Sequence, residues 1–110
     1  MMKLSIVIPV YNVEPFIRGT LDSIYKQGVD ESLFEVIVVN DGTPDNSMAI
    51  VEMFADAHTN LAIINQKNQG LSAARNSGIK VAKGDYIWVV DSDGLGESIL
   101  IKDVRVKRPL

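Results

Sequence analysis

The sequence predicts an α/β fold in which helices cover both faces of a mostly parallel β-sheet. Four short runs rich in valine and isoleucine alternate with segments whose apolar residues recur at the three- and four-residue spacing of a helix. Strand and helix in alternation are typical of right-handed crossovers and hence of parallel strands. The runs are apolar throughout rather than alternately polar, which indicates strands buried on both faces.

The predicted elements follow one another in order. The first strand is closed by Pro9, and the helix after it has Asn12 as its cap and a proline in its first turn. The second helix opens with Thr43 as the cap and Pro44 at the first helical position, and the third begins near Gly70. The predicted strands span residues 4–8, 34–39, 61–64 and 86–90.

Composition limits the classes of protein to consider. With 110 residues and no internal repeat, the chain forms one domain at most. It carries 11 basic and 14 acidic residues, a balance that argues against a nucleic-acid-binding surface. The absence of cysteine excludes disulfides and thiolate zinc sites. No apolar segment is long enough to cross a bilayer and the N-terminus is a poor signal peptide, so we expect a cytoplasmic protein.

Polar, turn-forming residues follow all four predicted strands. The clusters span residues 9–12, 40–43, 65–68 and 91–93. Turns use the same residue types, so each cluster alone has a plain structural explanation. Ligands of parallel sheets, however, bind outside the carboxyl ends of the strands. Four clusters on one rim therefore favour a binding site.

The acidic pair after the fourth strand suits a divalent metal. In an extended segment Asp91 and Asp93 face the same side, and Mg²⁺ or Mn²⁺ binds through one or two carboxylates together with substrate phosphates. Tyr11 is placed to stack a base, and Asp41 to accept a hydrogen bond from a ring N–H. We expect Asp91 to contact ribose hydroxyls and Asp93 to hold the metal. The pattern predicts a nucleoside diphosphate site.

Other nucleotide-binding or metal-binding folds lack their motifs here. No G-x-G-x-x-G follows the first strand and no G-x-x-x-x-G-K-[ST] occurs, which argues against dinucleotide-binding domains and P-loop NTPases. A receiver-type signalling domain also places carboxylates and a metal on this rim. It requires an acidic pair after the first strand, where this chain has Val10, Tyr11 and Asn12.

Four segments together resemble, in order and spacing, the motifs of the family 2 glycosyltransferases of the GT-A fold. They span residues 5–12 (SIVIPVYN), 38–47 (VVNDGTPDNS), 68–78 (NQGLSAARNSG) and 84–93 (GDYIWVVDSD). The resemblance implies a Rossmann-like, three-layer α/β/α domain of the nucleotide-diphospho-sugar transferase type. It also implies that the first three strands lie in the order 3-2-1, with the fourth on the other side of the first.

The same resemblance implies a metal-dependent, inverting transfer of a sugar from a nucleotide-sugar, most often a UDP-sugar. The acceptor would be a saccharide, a lipid-linked molecule or a protein, and the cofactor Mn²⁺ or Mg²⁺. Arg75 would reach the base or the phosphates, and Glu14 would lie near the nucleotide pocket. By this likeness the donor-binding residues are Pro9, Tyr11, Glu14, Asp41, Arg75 and Asp91, and the metal ligands are Asp91 and Asp93.

Two departures from the family pattern concern the end of the chain. Gly94 stands where the family commonly has a further acid, and no acceptor-binding half or catalytic carboxylate is recognisable between Leu95 and Leu110. We therefore expect residues 1–93 to be the donor-binding half of a truncated GT-A domain and residues 94–110 to be an atypical tail. Such a chain would be inactive alone and would dimerise through an exposed sheet edge. The alternative is a non-catalytic nucleotide-sugar-binding module.

Overall fold

Strands and helices alternate along residues 3–91, the part of the chain that the computed structural model describes. The elements are β1 (Leu4–Val10), α1 (Glu14–Tyr25), a 3₁₀ turn (Glu31–Leu33), β2 (Phe34–Asn40), α2 (Ser47–Ala57), β3 (Leu61–Asn65), α3 (Leu71–Val81) and β4 (Tyr86–Val89). The four strands are parallel, in the order β3-β2-β1-β4, which confirms the predicted class and topology. No helix within residues 3–91 has the length and apolarity needed to span a bilayer.

The sheet is covered on both faces, as the unbroken apolar runs predict. All seven residues of β1 are buried, and alternate residues of β1 and β2 point to opposite layers. On one face α1 and α2 enclose the larger cluster, and on the other α3 packs on Val7, Ile37 and Val39. The largest fully buried side chains of the first cluster are Ile6, Ile8, Val10, Ile17, Leu21, Ile24, Val36, Val38 and Val51.

Small residues bring α3 close to the sheet. Ala74 is fully buried against the strands, and one turn later Gly78 faces Val7 and Val39. A Cβ atom at Gly78 would clash with the Val7 side chain and would lie 3.3 Å from a methyl group of Val39. The lack of larger side chains at these two positions lets α3 pack closely on the sheet.

The first strand continues through Pro9 to Val10, so its predicted end at residue 8 is wrong. Backbone groups of successive strand residues point to opposite neighbours. The Val10 carbonyl accepts a hydrogen bond on the β2 side, whereas the Val7 carbonyl accepts one from Val90 on the β4 side. The nitrogen of Pro9, which carries no hydrogen, therefore faces the β4 side at a position beyond the last paired residue of β4. A proline breaks no ladder bond there.

Two predicted helix starts differ from the structure. The cap of α1 is Val13 rather than Asn12, whose backbone is left-handed with a φ of 55°. The second helix begins at Ser47, three residues beyond Pro44. The reason is the carboxylate of Asp45, which accepts hydrogen bonds from the Ser47 N–H and hydroxyl and so starts the helix later. The third helix begins at Leu71, directly after Gly70, as predicted.

Candidate functional site

A cavity of about 620 Å³ opens at the carboxyl end of the sheet. Its walls come from the ends of β1 and β4 and from the N-terminal turns of α1 and α3, which lie on opposite faces of the sheet. This is the topological switch point, because the chain leaves β1 in one direction and reaches β4 from the other. Of the predicted site residues, Pro9, Tyr11, Asp41 and Asp91 line the cavity.

An aromatic surface forms one wall of this cavity. Tyr11 is 45% exposed and Phe16, on the first turn of α1, is 40% exposed. Both side chains are large and apolar, and in the structure neither is buried in the core. The ring of Tyr11 is thus accessible from the cavity, and stacking of a base on it stays a prediction. Phe16 adds a second accessible ring to this wall.

Asp41 is the most completely hydrogen-bonded side chain of the site. One carboxylate oxygen accepts from the Gln66 amide (3.0 Å) and the Gln69 N–H (2.9 Å), and the other from the Gly70 N–H (3.0 Å) and the Asn68 amide (3.3 Å). Burial alone would raise the pKa of this carboxyl, but the hydrogen bonds outweigh burial and hold it below its usual value. The carboxylate therefore stays ionised and organises the loop before α3.

Asn68 lines the cavity and was not singled out from the sequence. Its amide nitrogen donates to both the carbonyl and the carboxylate of Asp41, at 3.1 and 3.3 Å. Because both partners only accept hydrogen bonds, the amide orientation is fixed and the side-chain oxygen points away from Asp41. Gly42 makes this approach possible, since a Cβ atom there would lie 2.9 Å from the backbone nitrogen of Asn68. The sequence signal was a polar cluster in which no single residue stood out.

Glu14 lies outside the cavity wall. Its carboxylate accepts a hydrogen bond from the backbone N–H of Asn46 (2.9 Å), at the N-terminus of α2. Its own N–H donates to Asp45 (3.0 Å). A carboxylate in this position is favoured by the unpaired N–H groups of the helix end. Contact between Glu14 and a nucleotide stays a prediction.

Arg75 and Asp91 form an ion pair at the edge of the cavity, with 2.8 Å between Nη2 and Oδ2. Their side chains are 37% and 38% exposed, so both remain accessible. Within residues 3–91, no group of three or more histidine, cysteine or acidic side chains is arranged to hold a metal ion. Asp91 supplies one carboxylate of the type that Mg²⁺ and Mn²⁺ prefer. The predicted second ligand, Asp93, lies outside the described residues.

The sequence matches a family model. The model for glycosyl transferase family 2 aligns with residues 5–97, most of the chain. The chain belongs to glycosyl transferase family 2. The resemblance carried by the four motifs is thereby confirmed.

Two relatives illustrate the range of this family. The chain is 46% identical over 99 residues to the uncharacterized glycosyltransferase EpsJ of Bacillus subtilis, covering 90% of this chain and 28% of that protein. It is 40% identical over 104 residues to a poly(ribitol-phosphate) beta-glucosyltransferase of Bacillus spizizenii, covering 92% and 16%. The chain thus spans less than a third of the length of either relative.

Solved structures show the same fold. The S. aureus TarS fragment 1-349 in complex with UDP-GlcNAc superposes with a TM-score of 0.78 at 37% identity, covering 84% of this chain and 27% of that one. The mannosyltransferase PcManGT from Pyrobaculum calidifontis, in complex with GDP-Man and Mn²⁺, gives a TM-score of 0.77 at 27% identity, covering 84% and 28%. The predicted GT-A fold is confirmed.

Proposed function

We propose that residues 1–93 form the donor-binding half of a glycosyltransferase and that the cavity binds a nucleotide-sugar, preferably a UDP-sugar. The observation that carries the proposal is the convergence of Tyr11, Asp41 and Asp91 on one cavity at the switch point of a family 2 chain. The UDP-GlcNAc complex of TarS, at 37% identity, supports uridine as the base. The similarity to a poly(ribitol-phosphate) beta-glucosyltransferase supports a role in polysaccharide biosynthesis.

The base would lie against Tyr11, with Pro9 beneath it. Stacking on an aromatic ring is tolerant of base identity and does not by itself select uracil. Selection would come from Asp41 and Asn68, whose hydrogen-bonded pair leaves the Asn68 side-chain oxygen turned away from the carboxylate. An acceptor at this position fits the imide N–H of a uracil ring, which guanine presents in a different place.

The diphosphate would lie between the N-terminal turn of α3 and the Arg75–Asp91 pair. Unpaired N–H groups at a helix N-terminus favour anions, and Gly70 and Leu71 place this turn on the cavity wall. Arg75, one turn further along, adds a guanidinium suited to phosphate oxygens. Asp91 and Asp93 would hold Mn²⁺ or Mg²⁺, which neutralises the charge of a departing diphosphate.

Sugar transfer also needs an acceptor and a general base that removes the proton of its hydroxyl. We assign none of the cavity-lining residues within 3–91 to that role, because the proposed donor would occupy this cavity. We propose that the acceptor, whether a saccharide, a lipid-linked molecule or a protein, is bound by another part of the enzyme. The 110-residue chain would then bind the donor without turning it over and would dimerise through an edge of the sheet.

A thermal-shift panel tests donor binding. The 110-residue chain is heated with UDP, GDP, dTDP or CDP, each with and without Mn²⁺. We expect the largest stabilisation with UDP and a further increase with Mn²⁺, and we expect Asp93→Ala to remove only that increase. No shift with any nucleotide would contradict the site. Equal stabilisation by UDP with and without Mn²⁺ would contradict the metal bridge alone.

Two further assays separate the competing functions. A receiver domain would take up phosphate on an aspartate from acetyl phosphate, whereas the nucleotide site should show no such adduct. Size-exclusion chromatography combined with a donor-consumption assay over a panel of acceptors tests the second half of the proposal. Metal-dependent transfer by a monomer would show that the chain carries its own acceptor site.

A further inference from the structure

Two loops at the carboxyl end of the sheet are joined by a network of hydrogen bonds, of whose members only Asn12 lines the cavity. The first rim loop, residues 11–13, connects β1 to α1, and the second rim loop, residues 41–46, connects β2 to α2. We call the network the loop clasp. It comprises Asn12, Glu14, Thr43, Asp45, Asn46 and Ser47.

Asp45 is the centre of the loop clasp. One oxygen of its carboxylate accepts from the Thr43 hydroxyl (2.7 Å) and from the Ser47 hydroxyl and N–H (2.7 and 3.1 Å). The other oxygen accepts from the Glu14 N–H in the other loop (3.0 Å). Burial alone would raise the pKa of Asp45, but these bonds lower it from 3.8 to about 2. Only the ionised carboxylate accepts on both oxygens at once.

The link between the loops is reciprocal. Asp45 accepts from the first turn of α1, while the Glu14 carboxylate accepts from Asn46 at the start of α2. Neither helix has a hydrogen bond from its own N-cap side chain. The loop clasp therefore supplies the acceptors that a cap residue usually provides, and it does so across 31 or 32 positions of sequence.

The loop clasp also fixes the backbone beside Tyr11. Asn12 adopts a left-handed conformation with a φ of 55°, which is uncommon for a residue other than glycine. Its N–H donates to the Thr43 hydroxyl (2.8 Å), which in turn donates to Asp45. The ring of Tyr11 is 45% exposed at the cavity, so the core contributes little to its orientation. Its position depends instead on the neighbouring backbone of Asn12, which the loop clasp holds by hydrogen bonds.

We infer that Asp45 is a positioning residue of the nucleotide site. Acting through Thr43 and the backbone of Asn12 and Glu14, it holds the loop that carries Tyr11 at a fixed distance from the loop that begins with Asp41. Because the loop is already ordered before the ligand binds, less of the binding free energy is lost in ordering it. The inference rests on the proposed function, because the group that it positions is the proposed base platform.

The test is a double-mutant cycle on UDP binding by the 110-residue chain. Asp45→Asn keeps the shape of the side chain but replaces one carboxylate oxygen with an NH₂ group. The donors that bonded to that oxygen then lose their acceptor. We expect this substitution to raise the Kd for UDP by about 2- to 10-fold, the cost of ordering one loop side chain. In a Tyr11→Ala background we expect no further rise. An equal rise in both backgrounds, or none in either, would overturn the positioning role.

Asp30→Asn is the matched control, because Asp30 also accepts a backbone N–H, from Ser32 at 2.9 Å, but its turn lies at the other end of the sheet. It should leave the Kd for UDP unchanged in both backgrounds. A second pair of variants covers the case in which Asp45→Asn does not fold. Thr43→Val removes the link to Asn12 and should raise the Kd, whereas Thr43→Ser keeps the hydroxyl and should restore it. Equal Kd values for these two variants would also overturn the role.

Amide hydrogen exchange, measured by NMR without nucleotide, separates this inference from the proposed function. Asp45→Asn should accelerate exchange at the N–H groups of Asn12 and Glu14. If the unsubstituted chain binds UDP and neither exchange nor Kd responds to the substitution, the positioning role is wrong and the nucleotide site stands. If the unsubstituted chain binds no UDP, the proposed function is wrong and the positioning role fails with it.

Discussion

The two ends of the sheet contain the same kinds of side chain and use them differently. At the amino end, Glu35 accepts from the Ser5 hydroxyl (2.5 Å) and the Lys83 N–H (2.6 Å), and so joins β1, β2 and the entry to β4. At the carboxyl end, the Asp41 carboxylate accepts four hydrogen bonds and belongs to the wall of a cavity of about 620 Å³. A carboxylate that accepts from backbone N–H groups is therefore not in itself a sign of function.

The tyrosines show the same contrast. Tyr25, at the amino end, stacks on His58 with 3.7 Å between ring centroids and donates its hydroxyl to Asn60 (2.8 Å). Burial, with an added contribution from the charge of Glu31, raises the pKa of this hydroxyl. Tyr11, at the carboxyl end, leaves its ring exposed to the cavity. What separates the two ends is topology, because the N-terminal turns of α1 and α3 flank the cavity at the carboxyl end from opposite faces of the sheet.

Phe34→Ala should cause the largest loss of stability. The ring is 4% exposed and lies 5.7 Å from that of Tyr25, so the substitution opens a cavity at the amino end of the core. We expect a loss of about 3–5 kcal/mol in the free energy of unfolding, measured by urea denaturation. Phe34→Leu, which keeps most of the volume, should cost less than about 1.5 kcal/mol. The folded fraction of either variant should bind UDP normally, and weaker binding would mean that the ends are coupled.

Asp41→Ala and Glu35→Ala form a matched pair across the sheet. Each removes a carboxylate that satisfies backbone N–H groups, those of Gln69 and Gly70 in one case and of Lys83 in the other. We expect both to lower the free energy of unfolding by up to about 1–3 kcal/mol, because each leaves donors without an acceptor: part-buried N–H groups beside Asp41 and the buried Ser5 hydroxyl beside Glu35. Only Asp41→Ala should weaken UDP binding, which calorimetry would measure. Equal weakening by the two variants would remove the distinction between the ends.

Tyr11→Ala should affect binding rather than stability. The ring is largely outside the core, so the free energy of unfolding should change by no more than about 0.5 kcal/mol. The loss of stacking should weaken UDP binding by about 1–3 kcal/mol, with or without Mn²⁺. Tyr25→Phe is the control, because it removes a tyrosine hydroxyl at the amino end and should leave binding intact. A stability loss without a binding loss for Tyr11→Ala would assign that ring to the core.

Acidification should give the smallest effect. The pKa of Asp45 is lowered from 3.8 to about 2 in the folded chain, so its contribution to stability is complete above about pH 4 and is lost as the pH falls towards 2. Asp45→Asn lacks this titration. The difference in unfolding free energy between the unsubstituted chain and the variant should therefore shrink over that interval. A difference that grows on acidification would contradict the assignment of the bonds to the ionised carboxylate.

The sequence was sufficient for the features that depend on local pattern. Apolar runs located the strands, Gly70 located the start of α3, and the rule that strand ends converge placed Pro9, Tyr11, Asp41 and Asp91 on one cavity. The order of the strands came from the family resemblance, and the structure confirms it. Each of these inferences needs only a short segment or a known topology.

The features that were missed depend on partners distant in sequence. Thr43 and Pro44 carry a regular helix-start pattern, yet α2 starts at Ser47, which donates to an Asp45 carboxylate that is also bonded to Glu14, 31 positions away. Asn12 was expected to cap α1, yet it accommodates a left-handed backbone held by Thr43. Such contacts override the local preference of a sequence for a helix start when one charged acceptor satisfies several donors at once.

Gly78 lies outside the cavity wall, yet its position has a consequence for the cavity. The helix that carries it also carries Gly70 and Leu71, two of the cavity-lining residues, at its first turn. A helix is rigid over this length, so the distance between Gly78 and Val7 also determines how far the rest of the helix lies from the sheet. A methyl group at position 78 would push α3 away from Val7 and tilt the helix. Its first turn, which forms part of the cavity wall, would then move. A Cβ atom at position 78 would therefore change the width of the cavity opening about two turns away.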